Sequence, residues 1–363
     1  MKSLPLALVL LLSLGWVATV RGVQTIPGHS PYLSYEGRTL ADSDGGVEQG
    51  YPGIVTRVIF RGTALALRTR TDSGELYLDV SVDGGTPRLI QAPRGDHRLP
   101  LAAGLAQGIH RVDITKRVDA NVGVLDVMSA STDGTFLAPA PLPSRRLLFL
   151  GDSFVCGQSA TVEDKGPIDA TKALREDARL SFARILARRL DAQCHIIAYP
   201  GRGVIADWQG NRSVRCAPDY YEDTLPDDDA HRWNPAAYVP DVIGVCLGTN
   251  DFDGGIPGEV GYVKAYTEFV RVLRRDAPNA KIFLLTSPSL VDVPGRPPAK
   301  SVLRAYLEEV VRRLGDPRIR IVEIPHFTGR RGTLHPDGAA HRQVADELEP
   351  LFRRALESRP ASS

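Results

Sequence analysis

Beyond its first two dozen residues the chain carries two rhythms of apolar and polar positions. From Val23 to Thr135 apolar residues recur at every second place, and Gly and Asp break the runs. In "ELYLDVSVDGG" Leu76, Leu78, Val80 and Val82 fall on one face of an extended segment, with Glu75, Tyr77, Asp79 and Ser81 on the other. That is the period of a half-buried strand. Asp83-Gly84 then supplies the residue types of a tight hairpin turn. "TRVIFRG", "ALALRTR", "IHRVDIT" and "GVLDVMS" have the same strand character, and no amphipathic helix pattern separates them. Short strands with frequent turn signals predict an antiparallel β-sandwich of the jelly-roll kind over residues 23–135.

The stretch "FLAPAPLPS", residues 136–144, holds Pro139, Pro141 and Pro143 and neither period, which makes it a semi-rigid linker. From residue 145 to 358 apolar strand runs alternate with helical ones. "RLLFLGDS", "HIIAYPG", "DVIGVCLGTND", "KIFLLTSP" and "RIRIVEI" read as buried strands. Between them "LSFARILARRL" places Phe182, Ile185, Leu186 and Leu190 on one helical face, and helices are predicted around Val263–Leu273, Val302–Leu314 and from Ala339 onward. Strand-helix repeats of this size predict a parallel sheet with helices on both faces. In such a sheet the loops that follow the strands are the place to look for chemistry.

The N-terminus changes what the mature molecule contains. Met1 and Lys2 precede the apolar run Leu4 to Val20, with Ala18, Thr19 and Gly22 near its end. This is the pattern of a secretory signal peptide over residues 1–22, and it predicts an exported chain, secreted or periplasmic, with no membrane attachment after cleavage. Losing Lys2 and Arg21 turns the formal charge of the whole chain, +1, into −1. A balance so close to zero argues against nucleic acid as a partner. With 43% hydrophobic and 24% charged residues the chain is globular rather than disordered. Cys156, Cys194, Cys216 and Cys246 are too few for a disulfide framework, although one bridge is open to an exported protein; Cys194 and Cys246 sit in apolar runs as buried thiols. No spacing suggests a metal site.

Three post-strand loops and one C-terminal segment carry reactive residue types. "GDSFVCG" puts Ser153 at a strand-to-helix turn, where its hydroxyl and its own N–H can face one space. "YPGRG" offers Gly201 and Gly203, whose missing side chains let a backbone N–H approach a substrate oxygen. "GTND" offers the amide of Asn250, and "LHPDGAAH" offers His335 before the last helix and His341 within it. Singly these are ordinary caps and turn residues. Together, each following a strand of one sheet, they make a nucleophile, oxyanion donors and a base. His341, on the apolar rhythm of its helix, reads as a packed side chain.

These blocks resemble the SGNH, or GDSL, esterases. With the N-terminal β-domain, "YPGRGV" and "YVPDVIGVCLGTNDF", they resemble carbohydrate esterase family 2, which joins a jelly roll to an α/β SGNH-hydrolase domain of flavodoxin-like, three-layered form. The resemblance implies removal of O-acetyl groups from xylan or a related plant carbohydrate, without cofactor or metal. It implies Ser153 as nucleophile, His335 as general base, and Ser153 N–H, Gly203 N–H and Asn250 Nδ2 as the oxyanion hole, with Gly201 the alternative to Gly203. The family's usual Asp three residues before the His is Gly332 here. A Ser-His dyad follows, with a main-chain carbonyl of Gly332 or Thr333 orienting the imidazole; Asp337 and Glu323 are the alternative carboxylates. Asp152 is expected to tie down its loop.

The segment before the third block, "ADWQGNRSVRCAPDYYEDTLPDDDAHRWNP", is rich in aromatics. Trp208 and Trp233 are candidates for stacking on sugar, with Tyr220 and Tyr221 beside them, although aromatics there can equally cover the sheet. Two other functions are compatible with the sequence: a GDSL lipase or thioesterase acting on another acyl group, and a carbohydrate-binding protein whose esterase domain is degenerate.

Overall fold

The computed structural model describes residues 22–161, 171–327 and 335–357. The apolar N-terminal run, and Gly332 and Thr333, lie outside the described residues.

The N-terminal half is a sandwich of two antiparallel six-stranded sheets. One is built around Leu65–Thr71, Gly95–Ala102 and Leu125–Thr132, the other around Val55–Gly62, Leu76–Val82 and Gly108–Lys116. Their inner faces meet in one apolar layer that includes Leu67, Leu99 and Val127 from the first sheet and Val58, Leu78 and Val112 from the second. The hairpin turn forms because Asp83 and Gly84 both take positive φ, 52° and 73°, and Gly85 N–H donates to the Val82 carbonyl at 2.9 Å.

The polar face of "ELYLDVSV" meets solvent at Glu75 but not at its middle. Tyr77 and Asp79 are buried, and Asp79 pairs with Arg117 at 3.0 Å and with Arg179 of the C-terminal domain at 3.5 Å. The alternation is real, but the second face is covered at Asp79 by the other domain. The linker also begins later than its prolines suggest, since Thr135–Leu137 pairs with Val55–Gly62.

The C-terminal half holds a five-stranded parallel sheet in the order Ala192–Ala198, Arg145–Gly151, Val242–Cys246, Lys281–Leu285, Ile319–Val322. Leu147 and Phe149 pack on one side with the helices Phe182–Arg189 and Gly338–Glu357. Leu148 and Leu150 pack on the other with Glu259–Asp276 and Ala299–Leu314. The first of these helices starts where Ser181 Oγ accepts the Ala183 N–H.

Buried ion pairs join the domains. Glu36 of the sandwich accepts from Arg184 and Arg57 and from the Cys194 N–H at 2.9 Å. Burial opposes ionisation of Glu36, yet the two guanidinium groups and hydrogen bonds hold it down to about 2. All four cysteines are free and buried. Among the described residues no helix is long and apolar enough to cross a membrane.

Candidate active site

The first strand of the parallel sheet, Arg145–Gly151, lies between the second and the third. The connection after the first strand leads to helices on one face of the sheet and that after the third to helices on the other, which opens a crevice at the carboxyl ends of these strands. Ser153 follows the first strand, Gly201 the second and Asn250 the third, so all three border that crevice.

Asp152 sets the nucleophile turn: its Oδ1 accepts the Phe154 N–H at 3.0 Å, capping Ser153–Cys156. Burial pushes this carboxyl up to about 7. Ser153 Oγ lies 2.8 Å from His335 Nε2. Burial above all, then Lys172 and Arg175, lowers the His335 pKa to about 4. The imidazole is thus neutral near pH 7 and can accept the serine proton. Glu323 pairs with Arg304 at 2.7 Å, and Asp337 accepts the Ala340 N–H at 2.8 Å in the first turn of the last helix. His341 is fully buried, stacks on Phe154 with ring centroids 4.8 Å apart, and accepts the Phe182 N–H at 3.3 Å.

The two glycines of "YPGRG" have different surroundings. Gly203 N–H donates to the Ala206 carbonyl at 2.8 Å, and a Cβ there would sit 2.3 Å from an Asp251 carboxylate oxygen. Gly203 is therefore part of the loop's internal packing, and the expected oxyanion donor is engaged elsewhere. Gly201 lines the cavity with Ser153, Asn250 and His335, takes a left-handed φ of 75°, and its N–H has no acceptor among the described residues. Asp251 shapes this loop by accepting the N–H groups of Val204, Ile205 and Ala206 at 2.8 to 3.2 Å. The sequence motif contained this residue but gave no sign of that role, because its partners are backbone groups from another loop. Asn250 Nδ2 donates to the Arg202 carbonyl at 3.0 Å and to Asp152 Oδ2 at 3.2 Å.

The cavity over these residues has a volume of about 680 Å³. Trp208 lines it and is 53% exposed, which leaves an indole face for a ligand. Trp233 is elsewhere, in a small void with Arg38, His195 and Tyr238, where the Arg38 guanidinium lies 4.9 Å from its ring. Tyr220 and Tyr221 are buried in the core. Of these four rings Trp208 lines the cavity and the others do not, and spacing does not tell which. The sequence also gave no sign of Asn121, Lys172 or His326, which complete the wall from distant segments. Among the described residues no cluster of His, Cys, Asp and Glu is arranged to hold a metal ion.

A serine in contact with a neutral histidine at the switch point of a parallel sheet is an arrangement suited to serine-hydrolase chemistry. A model of the GDSL-like lipase/acylhydrolase family matches residues 149–343, and one described as carbohydrate esterase 2 N-terminal matches residues 35–141. The chain is 32% identical over 335 residues, 92% of its length and 91% of the relative's, to an acetylxylan esterase/glucomannan deacetylase of Cellvibrio japonicus. It superposes on a family two carbohydrate esterase structure from the same organism with a TM-score of 0.86 and 31% identity, covering 93% of this chain and 98% of that one. A Clostridium thermocellum family two esterase in complex with cellohexaose gives 0.81 and 27%, covering 90% and 99%. The chain belongs to carbohydrate esterase family 2, and it is a carboxylic ester hydrolase.

Proposed function

We propose that this chain is an exported acetyl esterase that removes O-acetyl groups from plant cell-wall carbohydrate through a Ser153–His335 dyad. The observation that carries the reading is the 2.8 Å contact between Ser153 Oγ and His335 Nε2 in an open cavity bordered by Trp208. The names of the relatives support an acetylated polysaccharide as substrate. In the forward half-reaction Ser153 Oγ attacks the acetyl carbonyl carbon while His335 Nε2 takes its proton. The oxyanion forms against the N–H groups of Ser153 and Gly201 and against Asn250 Nδ2, whose longer bond to Asp152 yields. Collapse breaks the bond to the sugar oxygen, which leaves with the proton from His335. Water then attacks the acetyl-serine with the same histidine as base, and acetate departs. The dyad reading takes a carbonyl of Gly332 or Thr333, which lie outside the described residues, rather than a carboxylate, as the partner of the imidazole. Replacing Asp337 or Glu323 by Ala should therefore spare kcat, and a large loss from either would overturn the dyad.

The test is acetate release from acetylated xylan, mannan and glucomannan by the wild type and by Ser153→Ala. We expect release from at least one polymer and a fall in kcat of at least about 10⁴-fold in the variant, with an unchanged melting temperature. Wild type that hydrolyses octanoate esters faster than acetates, or that binds the polymers without releasing acetate, would overturn the reading in favour of a lipase or a binding protein.

A further inference from the structure

Among the described residues of the cavity wall, Asn121 comes from the β-sandwich. Asn121, in the short 3-10 turn Ala120–Val122, is exposed and lines the cavity together with Ser153, His335 and Lys172. Its side-chain amide has no hydrogen-bond partner among the described residues, whereas its backbone N–H donates to Asp119 Oδ1 at 2.9 Å.

The support under that turn is polar and buried. Asp119 N–H donates to Glu176 Oε2 at 3.0 Å, and both carboxyl groups are fully buried. Lys172 Nζ lies 3.3 Å from Asp119 and 3.7 Å from Glu176. Burial, then the neighbouring Asp119, pushes Glu176 up to about 9, so one of the two acids keeps its proton at neutral pH. Lys116, also fully buried, donates to the carbonyls of Gly50, Val118 and Asp119 at 2.9, 3.1 and 3.3 Å. Burying this many charges is unfavourable compared with an apolar contact of the same size. What the arrangement achieves is support for a turn whose exposed amide lines the same cavity as Ser153 and His335.

We propose that Asn121 of the β-sandwich is a substrate-binding residue that hydrogen-bonds a sugar hydroxyl, so that the carbohydrate is held between the two domains. An uncharged amide offers a donor and an acceptor at once, as vicinal hydroxyls do. The exposed indole of Trp208 on the same cavity supplies the apolar ring face that such a ligand requires. The inference rests on the deacetylase reading above and adds the β-domain to the substrate site.

The experiment compares wild type and Asn121→Ala, as the full chain, on a partly acetylated xylotetraose and on 4-nitrophenyl acetate, with the melting temperature of each. The variant should raise KM for the oligosaccharide about tenfold, the worth of one or two hydrogen bonds. The ratio of kcat/KM on oligosaccharide to that on aryl acetate should fall at least fivefold, at an unchanged melting temperature. Equal losses on both substrates, or no loss on the oligosaccharide, would overturn the role. Wild type that releases no acetate from the oligosaccharide would instead overturn the deacetylase reading, and this inference with it.

Discussion

The two domains bury polar groups in opposite ways. In the parallel-sheet domain apolar layers cover both faces of one sheet, and reactive groups collect at the strand ends. In the β-sandwich one apolar layer lies between the sheets, while charged residues of its outer surface, Asp79, Glu36 and Arg117, are buried against the neighbour. A sandwich face that alternates polar residues is ready to meet water or another polar surface, and here part of it meets the esterase domain. Function in the first domain therefore follows from topology, and in the second from what the interface fixes in place.

The largest effect that would break this contrast is at the junction. Glu36→Ala leaves the buried Arg184 without its carboxylate and should lower stability by about 3–5 kcal/mol, read as a shift in the denaturant midpoint. A shift under about 1 kcal/mol would mean that the junction carries little of the fold.

Next come the two glycines of the second loop. Gly201→Ala places a Cβ 3.1 Å from Trp208 at a left-handed φ, and by displacing the N–H should cost about 100-fold in kcat with a small change in melting temperature. Gly203→Ala meets the Asp251 carboxylate and should chiefly lower the melting temperature. The reverse pattern would return the oxyanion role to Gly203.

Acid should weaken both rate and fold. His335, His195 and His341 are held by burial at about 4, about 3 and about 3. Each folded pKa lies below the ordinary histidine value of 6.5, so the unfolded chain takes up protons first as pH falls. Stability is then lost from about pH 6.5 downward, by up to about 1.4 kcal/mol per pH unit for each group. The pH dependence of kcat/KM should keep its steep acid limb near pH 4, with a shallow step near 7 from Asp152. A steep limb at 6.5 would show that His335 is solvated.

The smallest effect separates the two tryptophans. Trp208→Ala should raise KM for acetylated oligosaccharide roughly two- to tenfold, whereas Trp233→Ala, through Arg38 and His195, should act on the melting temperature. A KM effect from Trp233 alone would reverse the assignment.

Much of this was legible in the chain. The two rhythms predicted a β-sandwich followed by a parallel sheet, which is the fold, and they put Ser153 and Asn250 in loops after strands. What the pattern did not carry was orientation. Gly201 and Gly203 are the same residue type two positions apart, and only the course of the loop around Asp251 separates them. Alternation marked Asp79 as polar but could not say that Arg179 would cover it. Asn121 had no motif at all, because its position depends on charges more than fifty residues away.

The four buried thiols have a practical consequence. Burial raises the pKa of every one, those of Cys194 and Cys216 to about 12, and the thiolate is the form that reacts. A maleimide or disulfide reagent should therefore leave the native chain untouched and label it only as it opens. Cys156 ends the short helix after the first strand and Cys246 ends the third, while Cys194 and Cys216 sit on either side of the second loop. The order in which the four are modified in denaturant is thus a built-in clock for which part of the esterase domain comes apart first.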